Sequence, residues 1–509
     1  MPAFSRSGTA WTCSSGTGRR RGGTLSAETP SLKKNILLST LYQILLVVLP
    51  FITAPYVARV IGQEGSGIYD FTSANQTYFS MFAALGTASY GAREIARVRN
   101  DIHRRSVLFW EIELMTVVTS LISLSAWIIF IFMNAQYRVF YIALSMGIFS
   151  TMFDISWFFA GIEQFKYTVA KNAMFKLLGV ALMFLLVHSR EDLLLYVIII
   201  TGSTMLGNLS MWLYIGKFTE KVDLRSLRIR RHFKETLIYF IPSVATSVYT
   251  VLDRTLIGLL TEGKTENGYY HYATHIVNIM KALTFTSLNT VLGSRISYLY
   301  AEERFDEIRR RIDDSINYIL FMGLGICFGL ISVAGRFIPL YLGPGYERVI
   351  YMLSLMSPIV VIIGISNCLG SQYYTPSGRR RQSARFIIIG SIVNLCLNLL
   401  LIPRFEGYGA IVASLIAEGT ITVLYLHFSS GYMTFRRIAV LGWRKLIAAV
   451  LMLAAIRAVD PLIHSDIAAI AVEVVIGACI YVAITILLRD DFLTRIILPN
   501  VTGRLRKKG

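Results

Sequence analysis

The sequence predicts an all-α, polytopic integral membrane protein with about 14 transmembrane helices, and three observations predict it. Only 16% of the 509 residues are charged and the mean hydropathy is +0.56, whereas soluble domains carry about 25% charge. Apolar runs of roughly twenty residues, the length a helix needs to cross the hydrocarbon core, recur from Asn35 to Leu488. The connections between runs are short and leave no room for a folded extramembrane domain. Runs of this length also exclude a transmembrane β-barrel, whose strands are about ten residues long.

Taken in order, residues 1–32 form a Ser-, Gly-, Thr- and Arg-rich stretch without an apolar core. It reads as a disordered cytoplasmic tail, not as a signal peptide. Six apolar segments follow within residues 33–216, at 35–58, 67–90, 107–133, 138–160, 167–187 and 193–216. A basic linker, 217–233, separates them from six more within 234–428, at 234–260, 268–300, 315–334, 348–373, 384–402 and 408–428. Two additional segments, 443–459 and 467–488, occupy 429–488, and a basic cytoplasmic tail covers 489–509.

Orientation follows from the basic residues. Of the 50 Lys and Arg residues, 39 fall in connections on the side of the N-terminal tail, among them Lys166, Lys171 and Lys176, and eight fall on the other. The positive-inside rule therefore places both termini in the cytoplasm. The net charge of +19 faces anionic lipid headgroups, so membrane lipids are the expected partners and nucleic acid is not. The even split suggests two parallel repeats. Pro50 and Pro55 interrupt the first segment and Pro242 the seventh. The turns that follow are alike, IGQEGSGIYDF from Ile61 and IGLLTEGKTENGYYHY from Ile257.

The stretch Val251–Lys281 keeps Asp253, Arg254 and Lys281 inside apolar segments, where each charge costs about 2.5–3.5 kcal/mol at a helix centre. Such charges mark a transport path by default. The expected split turns Arg254 to a cavity and Asp253 to a neighbouring helix; the alternative is an ion pair of Asp253 with Arg254 or Lys281. The excess of cations suits an anionic group such as a diphosphate. Segment two carries Asp70, Thr72, Ser73, Asn75, Gln76, Thr77 and Tyr78, a polar row that reads as a cavity lining able to bind sugar hydroxyls.

Glu418 and Glu473 lie inside segments and are candidates for carrying a coupling proton. His271 and His275, one turn apart, form a candidate titrating pair rather than a metal site. Glu111 and Asp154 lie near the inner surface, where snorkelling makes charge less costly. Trp110, Trp127, Trp157 and Trp443 read as interfacial anchors, and the five scattered cysteines as small apolar fillers. No G-x-x-x-x-G-K-[ST] loop and no H-E-x-x-H helix is present.

Three stretches carry a family resemblance. LGTASYGAREIARVRND (Leu85–Asp101) and PYVARVIGQEGSGIY (Pro55–Tyr69) resemble the first half of bacterial polysaccharide-biosynthesis flippases, the Wzx-like oligosaccharide flippases of the MATE-like exporter superfamily. LDRTLIG (Leu252–Gly258), with GYY and GSRIS (Gly293–Ser297) after it, resembles the start of their second half. The likeness spans about residues 33–490. It implies two six-helix bundles in a V around a central cavity, plus two C-terminal helices. It also implies a non-enzymatic activity: moving undecaprenyl-diphosphate-linked oligosaccharide from the inner to the outer leaflet of the bacterial cytoplasmic membrane by alternating access. That step serves capsule, O-antigen or exopolysaccharide synthesis, alongside other polysaccharide assembly proteins. No cofactor is implied beyond coupling to H+ or Na+. Arg254 and Lys281 match the family's substrate-receiving cations. Readings of the same fold are a cation-coupled multidrug antiporter and a peptidoglycan-precursor (lipid II) flippase; a membrane glycosyltransferase or polymerase is a reading of another class.

Overall fold

The computed structural model describes residues 32–286, 295–463 and 466–493. The expected N-terminal tail, most of the C-terminal tail and the start of GSRIS lie outside them. Every regular element among the described residues is a helix. The first half comprises α1 (Leu32–Val60), α2 (Gly62–Ala84), α3 (Thr87–Val98), α4 (Ile102–Met133), α5 (Arg138–Met152), α6 (Ser156–Gly161), α7 (Phe165–Leu186) and α8 (Leu193–Ile215). The second comprises α9 (Arg230–Leu260), α10 (Thr265–Lys281), α11 (Phe305–Leu342), α12 (Glu347–Met356), α13 (Ile359–Leu369) and α14 (Arg380–His427). Last come α15 (Phe435–Val459) and α16 (Asp466–Leu487).

Helix ends follow local chemistry. Asp101 caps α4 by accepting the Arg104 N–H at 3.0 Å. The chain leaves α2 through Leu85 and Gly86, both with positive φ. Segment two therefore stops earlier than its hydropathy suggests, and amphipathic α3 follows as a separate element. The fourth segment breaks at 153–155, where Asp154 accepts the Ser156 N–H at 2.9 Å and starts α6. Segments eleven and twelve are two legs of α14, 380–405 and 407–427, parted by Glu406 at φ 50°. By contrast α1 runs through both Pro50 and Pro55 as one helix.

Among the described residues ten helical stretches are long and apolar enough to cross a membrane. The long helices outside that set are α2, α9 and α10, which carry the charges singled out above. Ile129, Phe132, Leu213 and Leu487 are exposed, as expected of a surface that meets lipid. Two tryptophans depart from the sequence expectation. Trp127 and Trp157 are buried, stacked on Phe130 and Phe109 respectively, so they fill the interior of the first half. Large rings bury more apolar area there than at an interface.

The last two helices are fastened to α11 by buried charge. Lys445 donates to Asp490 at 2.8 Å and to Asn317 at 2.6 Å. Arg336 pairs with Asp460 and lies 3.8 Å from Glu473.

Candidate functional site

The two halves meet along α2. Near its N-terminal end, which the distribution of Lys and Arg turns outward, α2 packs on α10 so tightly that a Cβ on Gly67 would lie 1.7 Å from the Lys264 carbonyl, and one on Gly268 2.1 Å from that of Gln63. Only glycine permits this approach. Ser66 and Tyr272 share a hydrogen bond of 2.8 Å, and the Lys264 ammonium sits 4.5 Å from the Phe71 ring centre. At the opposite end, which the same distribution turns inward, Tyr90 of α3 and His232 of α9 are 2.6 Å apart. His232 lies 2.9 Å from Glu111 of α4, which also accepts the Arg228 N–H at 2.7 Å and pairs with Arg231. Glu111 is thus buried in a contact between halves, not snorkelling as expected.

Between these contacts lies a cavity of about 320 Å³ lined by Pro50, Thr53, Tyr69, Lys176, Tyr196, Ser203, His271 and His275. Beside it is a charged centre. Arg254 Nη1 donates to Asp70 Oδ1 at 3.2 Å, and His271 Nδ1 contacts the same oxygen at 2.8 Å. Asp70 is fully buried while Arg254 keeps 27% of its side chain exposed. The Arg254 guanidinium therefore has donors left for a ligand. The His271 and His275 rings are parallel, 6.2 Å apart.

The alternative, an ion pair of Asp253 with Arg254 or Lys281, does not form; the partner of Arg254 comes from the first half. Asp253 faces away, as adjacent helix residues must, being about 100° apart. It is buried in the second half, where it accepts from Tyr270 at 2.7 Å, Ser414 at 2.5 Å, Asn398 at 2.6 Å and Asn394 at 3.2 Å. That geometry removes it from the cavity wall. Lys281 is the last residue of α10, where its Nζ is 3.3 Å from Asn278 Oδ1. Glu418 is buried on α14. Glu473 sits apart, against Arg336 in the C-terminal helices.

The polar row of α2 divides by helix face, which corrects the expectation of one cavity lining. Asn75 is buried and donates to Tyr141 of α5 at 3.0 Å. Gln76 donates to Ser80 at 2.5 Å and fills the space beside Gly147. Both hold the first half together. Tyr78 accepts from Thr255 at 3.3 Å across the boundary. Lys176, assigned by sequence to an inward connection, lies midway along α7 and lines the cavity. Its distance from the apolar start of its segment was the signal available.

Comparison with known proteins fits this arrangement. The sequence profile of the polysaccharide biosynthesis protein family matches residues 32–297, more than half of the chain. The chain belongs to that family. A protein of Escherichia coli K12 named "Putative O-antigen transporter" is 23% identical over 403 residues, which cover 78% of this chain and 96% of that one. Its namesake in Shigella dysenteriae is 25% identical over 399 residues, 78% of this chain and 99% of that one. In fold the chain is similar to the lipid II flippase MurJ in an inward closed conformation, with a TM-score of 0.70 at 18% identity over 89% of this chain and 99% of that one.

Proposed function

We propose that this protein is a flippase that carries a polyprenyl-diphosphate-linked oligosaccharide from the inner to the outer leaflet of the bacterial cytoplasmic membrane by alternating access. The observation that carries the reading is the chemistry of the cavity. Arg254, Lys176, His271 and His275 surround or line it, and Asp70, the carboxylate beside it, is already matched by Arg254. A diphosphate suits such a place, since the guanidinium offers a planar fork of donors and the ammonium a point charge. An organic cation does not, which disfavours drug antiport. Family membership and the O-antigen transporter relatives point to the same class of cargo.

Transport against a gradient needs coupling. Asp253 accepts from Tyr270, Asn394, Asn398 and Ser414, donors that favour its ionised form, so it takes part in neither substrate binding nor proton coupling. Glu418, buried on α14, is the candidate for coupling.

The test is complementation of a strain lacking its own flippase. Arg254→Ala and Lys281→Ala should each abolish surface polysaccharide while the protein still inserts. Normal polymer in both variants rules the assignment out. Loss of viability, rather than of surface polymer, on deleting the gene points instead to a peptidoglycan-precursor cargo.

A further inference from the structure

α1 passes through Pro55 as one helix. Proline has no N–H, so the carbonyl one turn before it, that of Phe51, loses its partner within the helix. A backbone carbonyl left bare in a membrane is costly. The Tyr341 hydroxyl, on the last turn of α11 and 290 positions away, donates to this carbonyl at 2.6 Å. Packing aims the hydroxyl there. The Tyr341 ring stacks on Phe51 at 4.9 Å and on Phe337 at 4.9 Å.

The same strap of the second half, residues 340–346, holds this end of α1 at three further points. Tyr346 donates to the Ala58 carbonyl at 2.8 Å, Arg59 donates to the Leu340 carbonyl at 2.6 Å, and Gln63, at the start of α2, donates to the Gly345 carbonyl at 3.0 Å. Gly343 and Gly345, at φ 96° and 85°, let the strap turn where a side chain would be strained. α1 also supplies Pro50, Thr53, Ala54 and Val57 to the cavity. The strap therefore fixes one wall of the cavity, which belongs to the first half, to the second half. Tyr56 differs: it donates to the Val187 carbonyl at 2.6 Å, a bond inside the first half.

The carbonyls at a helix end always need partners from outside the helix, so the bond to Ala58 is of an ordinary kind. The bond to Phe51 is not, because its acceptor lies within α1 and is free only through Pro55. We propose that Tyr341 is a positioning residue for α1: its hydroxyl takes the carbonyl that Pro55 frees and holds the cavity wall to the second half until the halves part on the outer side. The distribution of Lys and Arg turns this end of α1 outward. Parting the halves there bares the Phe51 carbonyl again, which biases the protein toward the arrangement closed on that side. The bond joins the halves and ties nothing within either one, so its loss acts on the balance between arrangements. The inference rests on the alternating access of the flippase reading and on no assumption about cargo.

The test is the rate at which Ser203→Cys, a cavity position, reacts with an impermeant thiol reagent added outside right-side-out membrane vesicles. The full-length protein is used, with its five native cysteines replaced. We expect Tyr341→Phe, which keeps both ring stacks, to raise the rate about two- to tenfold, the net contribution of one hydrogen bond. Tyr56→Phe removes a bond of the same length from the same helix, but within one half, and should leave the rate unchanged. Pro55→Ala returns an N–H to the Phe51 carbonyl, so in that background Tyr341→Phe should add little. Pro55→Leu supplies the same N–H if Pro55→Ala does not insert. An unchanged rate in Tyr341→Phe, an equal rise in Tyr56→Phe, or a full further rise on top of Pro55→Ala overturns the proposal. The labelling needs no cargo, so its failure is distinct from a failure of the export test with Arg254→Ala and Lys281→Ala.

Discussion

Arg254 Nη1 stands 3.2 Å from Asp70 Oδ1 across the boundary between the two halves of the chain. Removing one member of a buried pair strands the other charge and typically costs about 3–5 kcal/mol. Asp70→Asn and Arg254→Gln should therefore each lower thermal stability by an amount of that order. The double variant should regain most of it, because no buried charge is left alone. Polymer export should stay absent in the double variant, since the cation that meets the substrate is still missing. Melting curves and surface-polysaccharide blots of the four proteins check both statements; additive losses of stability would show that the two groups do not interact.

Lys176 lines the cavity, while Lys166 and Lys171 lie nearer the inner start of α7, where Lys166 rests over the Tyr167 ring at 5.1 Å. A lost charge-assisted hydrogen bond is worth about 1.5–3 kcal/mol, or about ten- to a hundredfold in affinity. Lys176→Ala should weaken binding of a lipid-linked diphosphate by that factor, and Lys166→Ala should leave it unchanged. Binding measured on nanodiscs loaded with a polyprenyl-diphosphate sugar decides between them.

Gly67 should tolerate no side chain. Gly67→Val places atoms where the Lys264 carbonyl now sits, and the backbone on either side cannot yield as a flexible side chain can. We expect the outer contact to open, export to stop, and Ser66→Cys to react with an impermeant thiol reagent from outside. Ser66→Cys alone, buried in the contact, should stay protected. Equal labelling in both backgrounds would show that the contact is not the outer seal.

Lys445 supplies a contrast. Its ammonium is buried against Asp490 and Asn317, far along the chain from the cavity helices. Lys445→Ala should lower stability by about 3–5 kcal/mol by removing the buried cation that faces Asp490. Lys445→Met combined with Asp490→Leu should restore it, with export per folded molecule intact. A selective loss of export in that double variant would assign the pair a part in transport.

Much of this was readable in the chain. Run length and the distribution of Lys and Arg determine the helical segments, because both are set by the thickness and charge of the bilayer and not by the neighbours of a helix. Arg254 was singled out as a charge kept inside an apolar segment, where it is costly. Its partner was not, since Asp70 lies 184 positions away and no local spacing links them. Asn75 and Gln76 were misread for a related reason. A polar row on one helix says that water or hydrogen bonds are near, but the face that meets Tyr141 is chosen by packing. Lys176 escaped because the count of basic residues assigned it to an inward connection, although it lies midway along α7.

The contacts above and below the cavity differ in how they can reform. Glu111 is held by Arg228, Arg231 and His232, residues in the last third of the linker 217–233 that joins the halves. The peptide chain itself keeps these partners at high effective concentration, so the inner contact closes as an intramolecular event each time, and weak bonds suffice. The outer contact has no such tether close by. It depends on two backbones meeting at Gly67 and Gly268, where surface fit supplies what connectivity does not. A cycle built this way has one side that recloses by default and another that closes only on a matching shape.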